Sequence, residues 1–230
     1  MALTKPTAPV FEEMNTQPET LTSQPAPAQV PMVTKPALPS VGVFRSALAD
    51  KQDVLKTEDV EALGFGTFPR MTADLGGLML DKDELGKTAR IEILSWNLRY
   101  VITPNSNDDE AKKHVKVSYD NQTISGTDES VQDYIAALKA AGYDKASSKL
   151  YCDIWASLVA YEKKGDLKPE EVKMVQVQLS PQSLQQFKRY QLEQGVRESQ
   201  GMAVPRYVTV TCTRQEFNGN RFGRMEFSNA

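Results

Sequence analysis

The chain has 230 residues, 40% of them hydrophobic and 25% charged, and a net charge of −3. These are ordinary values for a soluble globular protein, with room for one large domain or two small ones. No run approaches the roughly eighteen apolar residues of a membrane span, and no basic start leads into an apolar stretch as in a secretory signal, so a cytoplasmic protein without membrane contact is expected.

Residues 1 to 44 hold eight of the thirteen prolines, set among Ala, Thr, Gln and Ser. A stretch such as PAPAQVPMVTKPALP offers few apolar side chains and many missing backbone donors, so a disordered, extended arm is expected. Residues 45 to 88 read as a lead-in with a short helix near Glu58 to Leu63, followed by GFGTFPR. Gly64 and Gly66 flank Phe65, but no strand precedes them and no Lys-Ser/Thr follows. A turn that docks Phe65 and Phe68 is therefore favoured over a phosphate loop.

From residue 89 the pattern is mostly that of strands. ARIEILSWNLRYVIT (89–103) shifts its apolar phase from Ile91 and Ile93 to Leu94, Trp96, Leu98, Tyr100 and Ile102. Such a shift predicts a bulge or sharp bend. HVKVSYD (114–120) alternates and ends in the turn pair Asp120-Asn121. SVQDYIAALKAAGY has helical spacing, with Asp128 as the expected cap and Gly142 as the stop. KLYCDIWASLVAYE (149–162) puts Cys152, Ile154, Ala156 and Leu158 on an even, core-like face, leaving Tyr151, Trp155 and Tyr161 on the odd one. KMVQVQL is a further strand. SPQSLQQFKRYQLEQ is a helix capped by Ser180, with Pro181 at its first position. The last two strands meet at Asn218-Gly219, a strong hairpin signal.

Six or seven strands, two short helices and no βα alternation predict a mainly β (α+β) fold. The expectation is a modified OB-like Greek-key β-barrel over residues 89–230, with a β-sandwich as the alternative.

Catalytic patterns are sparse. The single histidine, His114, has no nucleophile or further nitrogen ligand at motif spacing. Cys152 and Cys212 sit in apolar runs and read as small core residues. The run Asn105 to Glu110 lacks the glycine and later glutamate of a calcium loop. Asp81, Asp83 and Glu84 could hold magnesium in a small nucleic-acid enzyme, yet no phosphate motif accompanies them. The expectation is therefore no enzyme, no metal and no cofactor.

The positive signal is a set of aromatics interleaved with cations. From Pro181 onward seven Lys and Arg face four Glu, which permits an anionic partner. Trp96, Tyr100, Tyr151, Trp155 and Tyr161 are stacking candidates, joined by Phe222 in the hairpin. Arg99, Lys116, Arg206, Arg214, Arg221 and Arg224 are phosphate candidates. Rings for bases and cations for phosphates are what sequence-independent single-strand binding uses. In the hairpin, alternation puts Met225 and Phe227 inward, with Phe222 and Arg224 outward beside Arg214 or Arg221.

The order of a long first strand, SYDNQT, a helix ending in Gly-Tyr, an aromatic strand, VQLSPQSLQQFKRY and a closing hairpin resembles tailed-bacteriophage single-stranded DNA-binding proteins. The resemblance spans residues 65 to 230. It implies an oligonucleotide-binding barrel acting on single-stranded DNA in phage DNA replication or recombination. Several such proteins end in an acidic tail that recruits replication proteins. This chain ends in MEFSNA, so recruitment would fall to the N-terminal arm with Glu12, Glu13 and Glu19. The alternative is a phage structural or assembly protein that docks through the arm and self-associates by strand edges.

Overall fold

The structure is a computed structural model that describes residues 46–62, 68–106, 108–217 and 219–230. The Pro-rich arm, Gly64 to Gly66 and Asn218 lie outside the described residues. No helix among the described residues is long and apolar enough to cross a membrane.

The fold is mainly β, as expected: a curled half-barrel sheet with, among the described residues, four α-helices. The strands are β1 Arg70–Ala73, β2 Leu78–Leu80, β3 Asp83–Gly86, β4 Thr88–Thr103, β5 Lys116–Ser118, β6 Ser147–Tyr161, β7 Gly165–Asp166, β8 Lys173–Leu179, β9 Val208–Phe217 and β10 Asn220–Asn229. The helices are α1 Thr57–Ala62, α2 Asp109–Lys112, α3 Val131–Ala140 and α4 Pro181–Ser199. The sheet runs β10-β9-β4-β6-β8-β1-β2-β3, with β5 on β4 and β7 on β6.

Two long strands organise everything else. β4 and β6 pair from Ala89–Tyr161 to Thr103–Ser147, and the register slips between Ile93 and Ser95. That slip is the bulge the phase shift predicts, and it leaves Leu94 exposed. α4 packs against β10, β6 and β8, inside the curl. Leu184, Phe187 and Tyr190 fill it against Trp96, Ile154 and Val177. Phe187 meets Trp96 edge-on at 5.7 Å and Phe227 at 5.2 Å. Ser180 caps α4 and Pro181 opens it, as the sequence indicates.

The curl brings β10, at one end of the sheet, back against β1. A Cβ on Gly223 in β10 would lie 2.5 Å from the Asp74 carbonyl oxygen just past β1. Only glycine permits that approach. Met225 and Phe227 face inward, as expected, and Met225 is fully buried.

Beyond the main sheet, the β4–β6 ribbon carries a lobe formed by residues 104–146. Its own small core is Ile102, Ile124, Val131, Leu138 and Ala146. α3 is capped by Ser130, whose hydroxyl accepts from the amides of Gln132 and Asp133, and not by Asp128. Asp128 lies two residues too far out to reach the first turn. Gly142, with φ +97°, ends the helix as predicted.

The lead-in expectation for 45–88 needs correction, because this segment builds part of the sheet. β1 extends β8 in parallel and β2 and β3 continue from it. Residues 46–57 also run along the free edge of β4: the Trp96 indole donates to the Leu48 carbonyl at 2.7 Å, and the Asp53 amide to the Trp96 carbonyl at 2.9 Å.

Candidate functional site

β4, β6 and β8 have two buried faces of opposite chemistry. The inner one is apolar, under α4. The outer one carries Ser95, Asn97 and Arg99 on β4, Asp153 and Trp155 on β6, and Gln176 and Gln178 on β8, because polar and apolar positions alternate. Cross-strand register aligns Asn97 with Asp153 and Ser95 with Trp155, and Asp153 with Gln178.

Asn97 is saturated. Its Oδ1 accepts from the Trp155 indole and the Thr57 hydroxyl, both at 3.1 Å. Its Nδ2 donates to the Leu55 carbonyl at 2.6 Å and to Asp53 Oδ1 at 3.3 Å. The 52–57 segment is thereby fastened over the outer face, and Phe68 adds an edge-on contact to Trp155 at 5.5 Å.

Asp153 is fully buried beside it. Arg99 Nε lies 2.7 Å from Asp153 Oδ2, close enough for a strong ion pair, but its N–H is not aligned on the oxygen. The Thr57 hydroxyl reaches the same oxygen at 3.4 Å. Oδ1 has no hydrogen-bond partner among the described residues. Burial raises the Asp153 carboxyl above the usual carboxylate range, with Arg99 the main opposing influence.

Arg99 opens onto a cleft of about 410 Å³ at the waist between the sheet and the lobe. Arg70 and Gln178 line it from the sheet and Tyr151 from the ribbon. Val101, Val115 and Val117 supply an apolar wall from the ribbon and the lobe. Ser180 and Ser183 bring the start of α4, the positive end of the helix dipole, to its lining. No Asp or Glu is among its described lining residues.

The DNA-binding residues expected from sequence do not share one surface. Trp96 and Trp155 are 7% and 2% exposed, which corrects their reading as stacking platforms. The odd face of β6 is covered by residues 52–57 and Phe68, a cover that strand alternation cannot reveal. Arg99 and Tyr151 meet in the waist cleft. Tyr100 lines a second cleft with Asn97 and Tyr119. Tyr161 lines a third beside Lys164 and Glu171, and Arg206 a fourth beside Arg90. Lys116 is exposed and pairs across from Ile102, on the strand face opposite Arg99.

Most of the expected phosphate cations already hold carboxylates. Arg206 grips Glu92 with two hydrogen bonds of 2.9 and 3.1 Å and sits 5.3 Å from the Tyr207 ring centre. Arg221 pairs with Glu216 at 3.0 Å, and Arg224 pairs with Glu226. Arg214 is exposed and opposite Gly223. The register puts Arg214 and Arg221 on the strand face of Met225, while Phe222 and Arg224 occupy the other. This corrects the expectation that Arg224 lies beside them: partners in register share a face, and Arg224 pairs with Thr213.

The remaining chemistry is quiet. Cys152 and Cys212 are free and buried. His114 lies 5.7 Å from the Tyr143 ring. Asp81 accepts from the Arg70 amide and Glu84 pairs with Lys163. The described residues contain no cluster of three or more metal-ligating side chains.

Sequence reasoning missed Arg70, Gln178 and the valine wall. Arg70 and Thr72 alternate with Met71 and Ala73, a period of two that marks a strand, but four residues are too few to stand out beside a glycine-rich turn. Comparison with family models, curated proteins and solved structures gives no match.

Proposed function

We propose that this protein binds single-stranded DNA without sequence preference and without catalysis, at the waist cleft. Arg70 and Arg99 take a backbone phosphate, and Tyr151 with the valine wall takes the flat face of a base. The observation that carries this reading is the cleft's composition: two guanidiniums, one aromatic ring and no carboxylate among its described lining residues, in a chain of net charge −3 whose other surface arginines mostly hold carboxylates.

An unpaired strand suits such a cleft because its bases present a free π-face, worth about 1–3 kcal/mol each when stacked. A duplex hides those faces. The resemblance to phage single-strand binders extends the reading to phage DNA replication or recombination, with partner proteins recruited through the N-terminal arm.

Anisotropy titrations of labelled oligo-dT against duplex of equal length test the proposal. Oligo-dT should bind more tightly, and Arg70→Ala with Tyr151→Ala should lower that affinity at least tenfold. With one phosphate neutralised, log K against log salt should have a slope of about −0.7. Self-association without affinity for oligo-dT would overturn the proposal in favour of a structural or assembly role.

A further inference from the structure

Asp153 is a poor choice for stability. A buried carboxylate loses its hydration, and a single arginine repays that loss only when the geometry is good and the remaining lone pairs are satisfied. Here Oδ1 has no partner among the described residues and the Arg99 N–H is misaligned. An apolar side chain under Phe68 and residues 52–57 would avoid both costs. Buried groups of this kind ask for an explanation beyond packing.

Arg99 supplies one. Its side chain is 14% exposed, so the guanidinium lies between a dry carboxylate and the open cleft. Asp153 holds Nε from behind, and the cleft lies ahead. An anion there competes with Asp153 for the same cation.

We infer, on the reading that the cleft binds a phosphodiester, that Asp153 is the positioning residue for Arg99 and that occupation of the cleft is coupled to uptake of one proton by Asp153. In the empty cleft Arg70, Arg99 and ionised Asp153 sum to one positive charge. When a phosphodiester draws Arg99 toward itself, Asp153 loses its counter-charge. The carboxylate then takes a proton from solvent, and the filled site again sums to one positive charge. The phosphodiester itself does not titrate near neutral pH, and neither does thymine.

The surroundings fit this exchange. The charged and titratable groups around Asp153 are Arg99 from β4, Arg70 from β1, Glu61 from α1, Tyr119 following β5 and Cys152 beside it in the chain. Burial raises the Asp153 carboxyl and Glu61 adds to the rise, while Arg99, Thr57 and Arg70 oppose it. Removing the Arg99 contribution therefore raises the group further. Because the liganded form binds the proton more tightly, affinity must rise as pH falls through the liganded pKa, by linkage.

Calorimetric titration of the full chain with oligo-dT tests this, in two buffers of different ionisation enthalpy between pH 5 and 8. Proton uptake should approach about one per occupied cleft, and affinity should rise up to tenfold per pH unit over part of that range. Asp153→Asn should abolish both the uptake and the pH dependence. His114→Gln removes the one histidine and should leave the uptake unchanged. Tight binding of oligo-dT by the wild-type chain with no buffer-dependent heat overturns the inference and leaves the proposed function standing. Absence of binding to oligo-dT overturns both. The wild-type measurement decides the matter even where a substitution at Asp153 prevents folding.

Discussion

The two faces of the β4–β6–β8 sheet are made by the same strands and are almost equally dry, yet they are built on opposite chemistry. The inner face is Trp96, Ile154, Val175 and Val177 under the apolar side of α4. The outer face is Ser95, Asn97, Asp153 and Gln176 under a short polar segment. Apolar burial is non-directional, so the inner face supplies stability without fixing any single group. Hydrogen bonds are directional, so the outer face fixes where Thr57, Trp155 and Arg99 stand and contributes less net stability. The site adjoins the face that fixes positions.

The largest effect that sharpens this contrast is on the inner face. Phe187 is fully buried between Trp96 and Phe227. Phe187→Ala should cost about 3–5 kcal/mol in chemical denaturation. It should leave oligo-dT affinity per folded molecule unchanged, since Phe187 is not among the residues lining the cleft.

On the outer face, Asn97→Ala takes the Asn97 acceptor from the Trp155 indole and leaves the Leu55 carbonyl to the Ser95 hydroxyl at 3.3 Å. The expected cost is about 1–3 kcal/mol, chiefly from the one buried donor left unpaired. Unlike the inner substitution, it should loosen residues 52–57, seen as faster amide exchange at Asp53 and Leu55. Equal exchange in the two variants would remove the distinction between the faces.

Gly223→Ala tests the meeting of β10 with β1. A Cβ there would stand 2.5 Å from the Asp74 carbonyl oxygen and 2.9 Å from the Ala73 carbonyl carbon, both backbone. Neither can swing aside, so the strands must part. A loss of about 1–3 kcal/mol is expected, as for other overpacked sites. A neutral effect would mean the curl is looser there than the geometry indicates.

The sheet was legible where strands were long. β4, β6, β8 and the final hairpin announce themselves by alternation, and the bulge near Leu94 by its broken phase. β1, β2 and β3 have three or four residues each, too short for a period of two to rise above chance. The site was legible only in part, for a related reason. Alternation says which residues share a face and not what covers that face. Tyr151, Trp155 and Tyr161 look equivalent in sequence. Trp155 is sealed by Phe68 and Asn97, whereas Tyr151 lines the waist cleft and Tyr161 another. Arginine partners are equally invisible, because Glu92 and Arg206 are 114 positions apart.

The smallest effect concerns the hairpin, whose arginines look in sequence like phosphate contacts. Arg221 and Glu216 are a surface pair, 55% and 57% exposed. Arg224 and Glu226 are half-sheltered, and Arg224 holds the Glu226 carboxyl below its usual range, helped by the Thr213 hydroxyl. Exposed pairs contribute at most about 1 kcal/mol because water and salt screen them. Arg221→Ala with Arg224→Ala should therefore cost under about 1 kcal/mol at neutral pH. The sign of the pH dependence follows from the depressed Glu226. Its stabilisation is present above the ordinary glutamate range and is lost as pH falls through the folded value. The difference in denaturation midpoint between wild type and the double variant should thus shrink in acid. Oligo-dT affinity should stay within about threefold, since both arginines hold carboxylates and neither is among the residues lining the waist cleft. A tenfold loss of affinity with unchanged stability would move the interface from the waist to the hairpin.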